Sequence, residues 1–211
     1  MILFLDTIAP LSEFSLIEDN KIIFSKKILE NKEKKMSDCI IPTYIEIKEK
    51  FQLDIKLKLL IVTTGPGSFT ALRIGIAFFV GLGISMKIPV IGVTALKLYN
   101  FYINKKKDDK ILFHIHSSNN QDFISYLKND PNEYLIEKVE NKQAILNLDN
   151  KINNFLTNDK IALKAMLEDD KFIIKEIDYK KVLTNNIKAI MLLPRPKIIE
   201  PIYISNNRIL N

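Results

Sequence analysis

The eleven residues 65–75, GPGSFTALRIG, constrain the fold of this chain more than any other stretch. Leu59, Leu60, Ile61 and Val62 read as a buried strand, bounded by Thr63, Thr64 and the Gly65-Pro66-Gly67 breaker, and Ser68 stands where a helix N-cap belongs. Strand, glycine turn and helix N-terminus in that order make an anion-binding geometry. Gly65 and Gly67 let bare backbone N–H groups approach a ligand, and the first helical turn from Phe69 adds unpaired N–H groups at the positive end of its dipole. No Gly-Lys-Ser/Thr follows at the required spacing, so this is not a Walker A loop.

The following helix, ALRIGIAFFVGLGISM over 71–86, is apolar nearly all round and contains Gly75, Gly81 and Gly83. Three interior glycines cost roughly 3 kcal/mol of helix propensity against alanine, so packing has to offset them. Leu72, Ile76, Phe79, Gly83 and Met86 fall at heptad-like spacing, while Ile74, Ala77, Phe78, Gly81, Leu82 and Ser85 occupy other faces. The helix is therefore packed on more than one side. One side belongs to its own sheet; the other is either internal or a partner surface, and the pattern leaves both open. Leu72, Arg73, Ile76, Phe79, Val80 and Gly83 form the expected interface, with Phe79 as its aromatic anchor.

Residues 74–93 carry a single charge, Lys87, over about the length that a bilayer span needs. Pro89 and the turn around Lys87 divide them, so a helix ending near Met86 and a strand over 88–93 account for the run, and no membrane partner is expected. Met1 opens directly onto a strand-like run rather than a secretory leader.

Strands over 2–5, 13–17 and 21–27 form a meander, followed by a helix over 37–51, the strand-turn-helix unit, the strand 88–93 and a helix from Thr94 to about Lys105. Residues 105–110, KKKDDK, are wholly charged and mark the boundary between a first lobe, 1–104, and a smaller second lobe, 105–211. The second lobe reads as strands over 111–116, 122–128, 135–139 and 172–177 with a helix over 180–193. Pro194, Pro196 and Pro201 then force an extended tail that can return to the first lobe.

With 47% apolar and 27% charged residues among 211, the composition is that of a soluble globular protein. The net charge of +6 permits nucleic-acid contact, but the lysine clusters at 32–35 and 105–107 do not interleave with aromatics and read as solvated loops. The single cysteine, Cys39, excludes an internal disulfide and fits a reducing cytoplasm.

With these segments in view, the chain resembles the TsaB family of actin-like (ASKHA) α/β proteins. Members typically carry a stretch close to GPGSFTGLRIG, then an apolar helix, a strand of the IPVIGV type and a Thr/Ser-led helix; this chain has Ala71 at the usual glycine, IPVIGV over 88–93 and then Thr94-Ala95-Leu96. ILFLDT over 2–7 and PIYI over 201–204 are similar to the family's opening and closing strands. Ile8 stands where members usually have serine or alanine, Met36-Ser37-Asp38 where they often have His-Ser-Glu, and His116-Ser117-Ser118 where they commonly have Asp-Ala-Arg.

The resemblance implies a two-lobed mixed-sheet fold and a non-catalytic cytoplasmic subunit that binds and stabilises a TsaD-type enzyme during threonylcarbamoyladenosine synthesis on transfer RNA. A TsaE-type ATPase would be a further component, transfer RNA an indirect partner and a homodimer an alternative assembly. No cofactor would be required by this chain, with Mg-ATP belonging to the complex. The cofactor-binding candidates are Asp6 and Thr7 at the end of the first strand, with Gly65, Gly67 and Ser68 of the glycine turn. Two rival functions are an ATP-dependent enzyme of the same superfamily and a glycoprotease-like peptidase. No His-x-x-x-His metal pair or Ser-His-Asp array is recognisable. His114 and His116 alternate along a strand, so they share a face and are expected to be satisfied by neighbours rather than by a metal.

Overall fold

Side-chain alternation builds the first layer. In β1 (Ile2–Asp6), Leu3 and Leu5 face one side of the sheet and Phe4 the other, all fully buried. β4 (Leu59–Thr63) behaves alike, Leu60 and Val62 facing with Leu3 and Leu5, and Leu59 and Ile61 with Phe4. A strand covered on both faces needs a continuous apolar run, and 59–62 supplies one. With β2 (Glu13–Glu18), β3 (Lys21–Lys27) and β5 (Val90–Val93), the sheet order is β3-β2-β1-β4-β5. The first three strands are antiparallel, and β4 and β5 run parallel to β1. The computed structural model of the chain describes residues 1–8, 11–29, 34–103, 111–117, 121–127, 134–139, 143, 145, 154–168, 171–196, 198–204 and 208–210.

α1 (Met36–Phe51), the short α2 (Leu53–Lys56) and α3 (Phe69–Met86) cover the Leu3/Leu5 face. α3 is long and apolar enough to cross a membrane by length and composition, yet it lies along the sheet with Leu72, Gly75, Ile76, Phe79 and Gly83 turned inward. Its glycines divide by side. A Cβ on Gly83 would collide with the Val90 side chain and sit 3.1 Å from the Ile88 carbonyl, and one on Gly75 would collide with the Thr7 methyl, whereas a Cβ on Gly81 would meet nothing within 4 Å. The close approach that offsets the glycine cost is thus between helix and sheet within the chain.

The second sheet repeats the topology of the first. β6 (Ile111–His116), β7 (Asp122–Leu127) and β8 (Tyr134–Val139) are antiparallel, while β9 (Asn154–Thr157) runs parallel to β6 and β10 (Ile173–Glu176) to β9. β11 (Arg208–Leu210) adds to β8, giving β10-β9-β6-β7-β8-β11. α5 (Lys160–Leu167) covers the outer face of this sheet. It starts where Asp159 accepts the Ala162 amide at 2.9 Å. The helix read over 180–193 is two, α6 (Tyr179–Asn185) and α7 (Ile187–Met191), broken at Asn186. The charged boundary at 105–110 lies outside the described residues.

Between the sheets lies a shared core. One apolar cluster runs from Phe4, Ile61 and Ile91 through Leu98 and Tyr99 of α4 (Ala95–Ile103) to Phe113, Ile115 and Leu156, and includes Val182 and Leu183 of α6. Residues 198–204 return to the first lobe, where the Ile202 amide donates to the Thr64 carbonyl at 2.7 Å.

Candidate functional site

Three places compete for function: the cleft between the lobes, the polar cluster of the second sheet and the outer face of α1 and α3. The cleft, of about 610 Å³, is bordered by Asp6, Glu13, Asp159, Glu176 and Asp178, against the lysines Lys27 and Lys180. Glu13 and Lys180 form an ion pair across it. Asp6 accepts the Ile8 amide at 2.9 Å, which closes a turn at the end of β1.

The five cofactor-binding candidates do not converge. Asp6 borders the cleft, but Thr7 is fully buried and shares hydrogen bonds with Thr63, the Thr7 amide donating to Thr63 Oγ1 at 2.8 Å. Thr7 ties β1 to β4 instead of reaching a ligand. The glycine turn is likewise closed: Gly65, with φ of +111°, packs under the Ile202 backbone, its carbonyl takes the Ala95 amide at 2.9 Å, and Gly67 lies against Ile8. Ile8 is fully buried, which explains why a residue larger than the family's serine or alanine suits this chain. Ser68 stands at the start of α3, as expected, without a side-chain capping bond.

In the second sheet, His114 and His116 do share a face, and one carboxylate serves both. His114 Nε2 lies 2.9 Å and His116 Nδ1 2.7 Å from Asp122 Oδ1, and His114 Nδ1 lies 2.7 Å from Thr157 Oγ1. Burial pushes the Asp122 carboxyl up, but hydrogen bonds and charge from the two imidazoles outweigh it and hold the group at about 2. Among the described residues no three His, Cys, Asp or Glu side chains converge as metal ligands would. Sequence reasoning missed Asp122 because its pairing with His116 depends on the β6–β7 register.

The interface expectation needs redrawing. Leu72, Ile76, Phe79 and Gly83 are buried against their own sheet, with Phe79 stacked on Phe14 at 6.0 Å, so Phe79 cannot anchor a partner without unfolding α3. Arg73 is exposed but engaged, its guanidinium 3.7 Å over the Phe69 ring and its Nε donating to the Tyr203 hydroxyl at 2.7 Å. Val80 is half-buried. The outward residues are others: Ala77, Gly81 and Ile84 on α3, and Ile41 and Ile45 on α1, of which Ile84 is 74%, Ile41 52% and Ile45 44% exposed. The helices are neighbours, Tyr44 meeting Phe78 edge-on at 5.3 Å.

Two sheets of matching mixed topology around a shared core define an actin-like, ribonuclease H-like two-lobed α/β protein. The fold of YeaZ from Pseudomonas aeruginosa superposes with a TM-score of 0.61 at 13% identity, covering 96% of this chain and 99% of that one. The profile of the family described as "TsaD: tRNA N6-adenosine threonylcarbamoyltransferase" matches residues 24–187. A protein of Buchnera aphidicola subsp. Schizaphis graminum, named tRNA threonylcarbamoyladenosine biosynthesis protein TsaB, is 28% identical over 192 residues, covering 88% of this chain and 87% of its own length. Its namesake in Buchnera aphidicola subsp. Acyrthosiphon pisum is 30% identical over 143 residues, 65% of this chain and 63% of the relative. The chain belongs to this TsaD-like family, and the relatives it matches there are named TsaB.

Proposed function

We propose that this chain is a non-catalytic subunit of the machinery that makes threonylcarbamoyladenosine on transfer RNA, and that it binds and stabilises a TsaD-type catalytic subunit in the cytoplasm. Its relatives' names supply the process. The observation that carries the partner role is the outer face of α1 and α3, where Ile41, Ile45, Ala77, Gly81 and Ile84 are exposed on two adjacent helices. Small residues at 77 and 81 let a partner helix approach closely, and Ile84 supplies an apolar side chain at the end of the same row.

Transfer of the threonylcarbamoyl group then belongs to the partner, with a TsaE-type ATPase and transfer RNA joining the complex. The cleft supports this division of labour. Five carboxylates against two lysines oppose a polyphosphate, and the Glu13–Lys180 ion pair already spans the opening. We assign Mg-ATP to the complex rather than to this chain.

Co-expression with a TsaD-type protein tests the proposal. Ile84→Glu and Ile45→Glu should leave the circular dichroism spectrum unchanged and abolish co-purification, because a buried unpaired carboxylate costs several kcal/mol. Folded variants that still co-purify would remove the α1–α3 face from the interface. Size-exclusion chromatography of the chain alone reports whether the same face pairs two copies.

A further inference from the structure

Two long helices begin at one small cavity. α1 starts after Lys35 and α3 after Ser68, and neither position contributes a side-chain capping bond. The leading amides of each helix have no intrahelical acceptor, and both dipoles present their positive ends there. The cavity, of about 230 Å³, is bordered by Lys35 and Ser37 from α1, Ser68 and Thr70 from α3, and Ser12 from the segment before β2.

Two serines make this more than a pair of helix ends. Ser12 is 2% exposed and Ser68 8% exposed, and neither hydroxyl has a hydrogen-bond partner among the described residues, although the Ser12 carbonyl accepts the Ile28 amide at 2.8 Å. Both residues are more than nine-tenths buried, and both border the same cavity, so their hydroxyls are free to bond to what enters it. The first turn of α3 holds no acid; that of α1 holds Asp38, which accepts the Ser37 hydroxyl at 2.9 Å and does not border the cavity.

We propose that this cavity binds a phosphate-type oxyanion, either inorganic phosphate or the terminal phosphoryl group of a small monoester. The first turns of two helices, Ser12, Ser68 and Lys35 border one cavity from separate segments, and donors drawn from several segments suit a tetrahedral group with several acceptor oxygens better than a planar carboxylate. The depth of Ser12 and Ser68 admits a terminal phosphoryl group and excludes a diester, which carries substituents on two sides. The glycine turn takes no part, because Gly65 and Gly67 do not border the cavity. The site is separate from the partner face and does not depend on the proposed function.

Titration of the isotope-labelled full chain with inorganic phosphate, at ionic strength held constant with chloride, tests the site by nuclear magnetic resonance. Saturable shifts of the Ser37, Ser68 and Thr70 amides with a low-millimolar or tighter midpoint are expected. Ser12→Ala with Ser68→Ala should raise the midpoint about tenfold, and Lys35→Glu should abolish saturation. Glycerol phosphate should bind as phosphate does, and dimethyl phosphate should not. Absence of saturable shifts up to about 50 mM phosphate would overturn the site, as would equal midpoints in wild type and the double alanine variant. Equal binding of dimethyl phosphate would overturn the restriction to monoesters.

Discussion

The hydroxyl of Tyr99, in the first lobe, donates to the main-chain carbonyl of His114, in the second, at 2.6 Å. Both residues are fully buried. The Tyr99 ring stacks on Phe113 at 4.8 Å, and Tyr179 donates to the Tyr99 hydroxyl at 3.3 Å. Burial pushes the Tyr99 phenol above its ordinary range, so it stays a neutral donor. The lobes are therefore joined by polar contacts set within one apolar cluster, an arrangement that resists hinge opening.

Tyr99→Phe should lower stability by about 1–3 kcal/mol, because it removes the donor to the buried His114 carbonyl and the acceptor of the Tyr179 hydroxyl. Urea unfolding followed by circular dichroism should remain one transition, shifted to lower denaturant at unchanged slope. Two separated transitions would mean that the lobes unfold independently and that the shared core does not couple them.

Acid should weaken the second lobe through Asp122. Its carboxyl is lowered from 3.8 to about 2 in the folded chain. A depressed carboxylate pKa contributes stability that is fully present above the unfolded value and is lost as pH falls through the folded one. The affected window is therefore about pH 4 to pH 2, and the contribution is roughly 2 kcal/mol. Asp122→Asn should flatten the stability profile over that window while lowering stability at neutral pH. An unchanged acid limb in the variant would show that other carboxylates set the profile.

The first lobe was readable because its signals are local. Residues 59–62 form a continuous apolar run, 65–67 a breaker and 69–86 a long apolar helix, and β1 to β5 fall where these place them. β9 was not readable: its four residues, NFLT, gain strand character only by pairing parallel to β6 and β10, which no local pattern encodes. α5 did carry a signal, Asn158-Asp159 followed by Leu163 and Leu167 one turn apart, but its short length hid it. For the candidate site, heptad spacing found the buried stripe of α3 and assigned it outward. An all-round apolar helix does not say which side its sheet takes, and only the contacts of Gly75 and Gly83 decide that.

Those contacts make the glycines of α3 unequal. Gly81→Ala adds a Cβ into open space at a helical position and should stabilise the isolated chain by up to about 1 kcal/mol. Gly83→Ala forces a Cβ against the Val90 side chain and the Ile88 carbonyl and should destabilise by about 1–3 kcal/mol. Thermal melts of the two variants should therefore move in opposite directions. Matching shifts would mean that α3 does not lie against β5 as described.

Arg73 should act as a clamp on residues 198–204. Its guanidinium stacks on Phe69 and its Nε–H bonds to Tyr203, whose ring lies 4.6 Å from that of Phe69. The segment so held covers the glycine turn through the Ile202–Thr64 hydrogen bond. An exposed cation–aromatic contact contributes about 0.5–1 kcal/mol and a hydrogen bond about as much again, so Arg73→Ala should speed exchange of the Ile202 amide roughly tenfold. Arg73→Lys should recover little of this, because an ammonium has neither the plane that stacks on Phe69 nor the fixed fork of donors. Salt should change the wild-type exchange rate only slightly, since stacking and a neutral acceptor hold the segment rather than an ion pair. Unchanged Ile202 exchange in Arg73→Ala would leave the return of the chain to the first lobe dependent on the backbone contact alone.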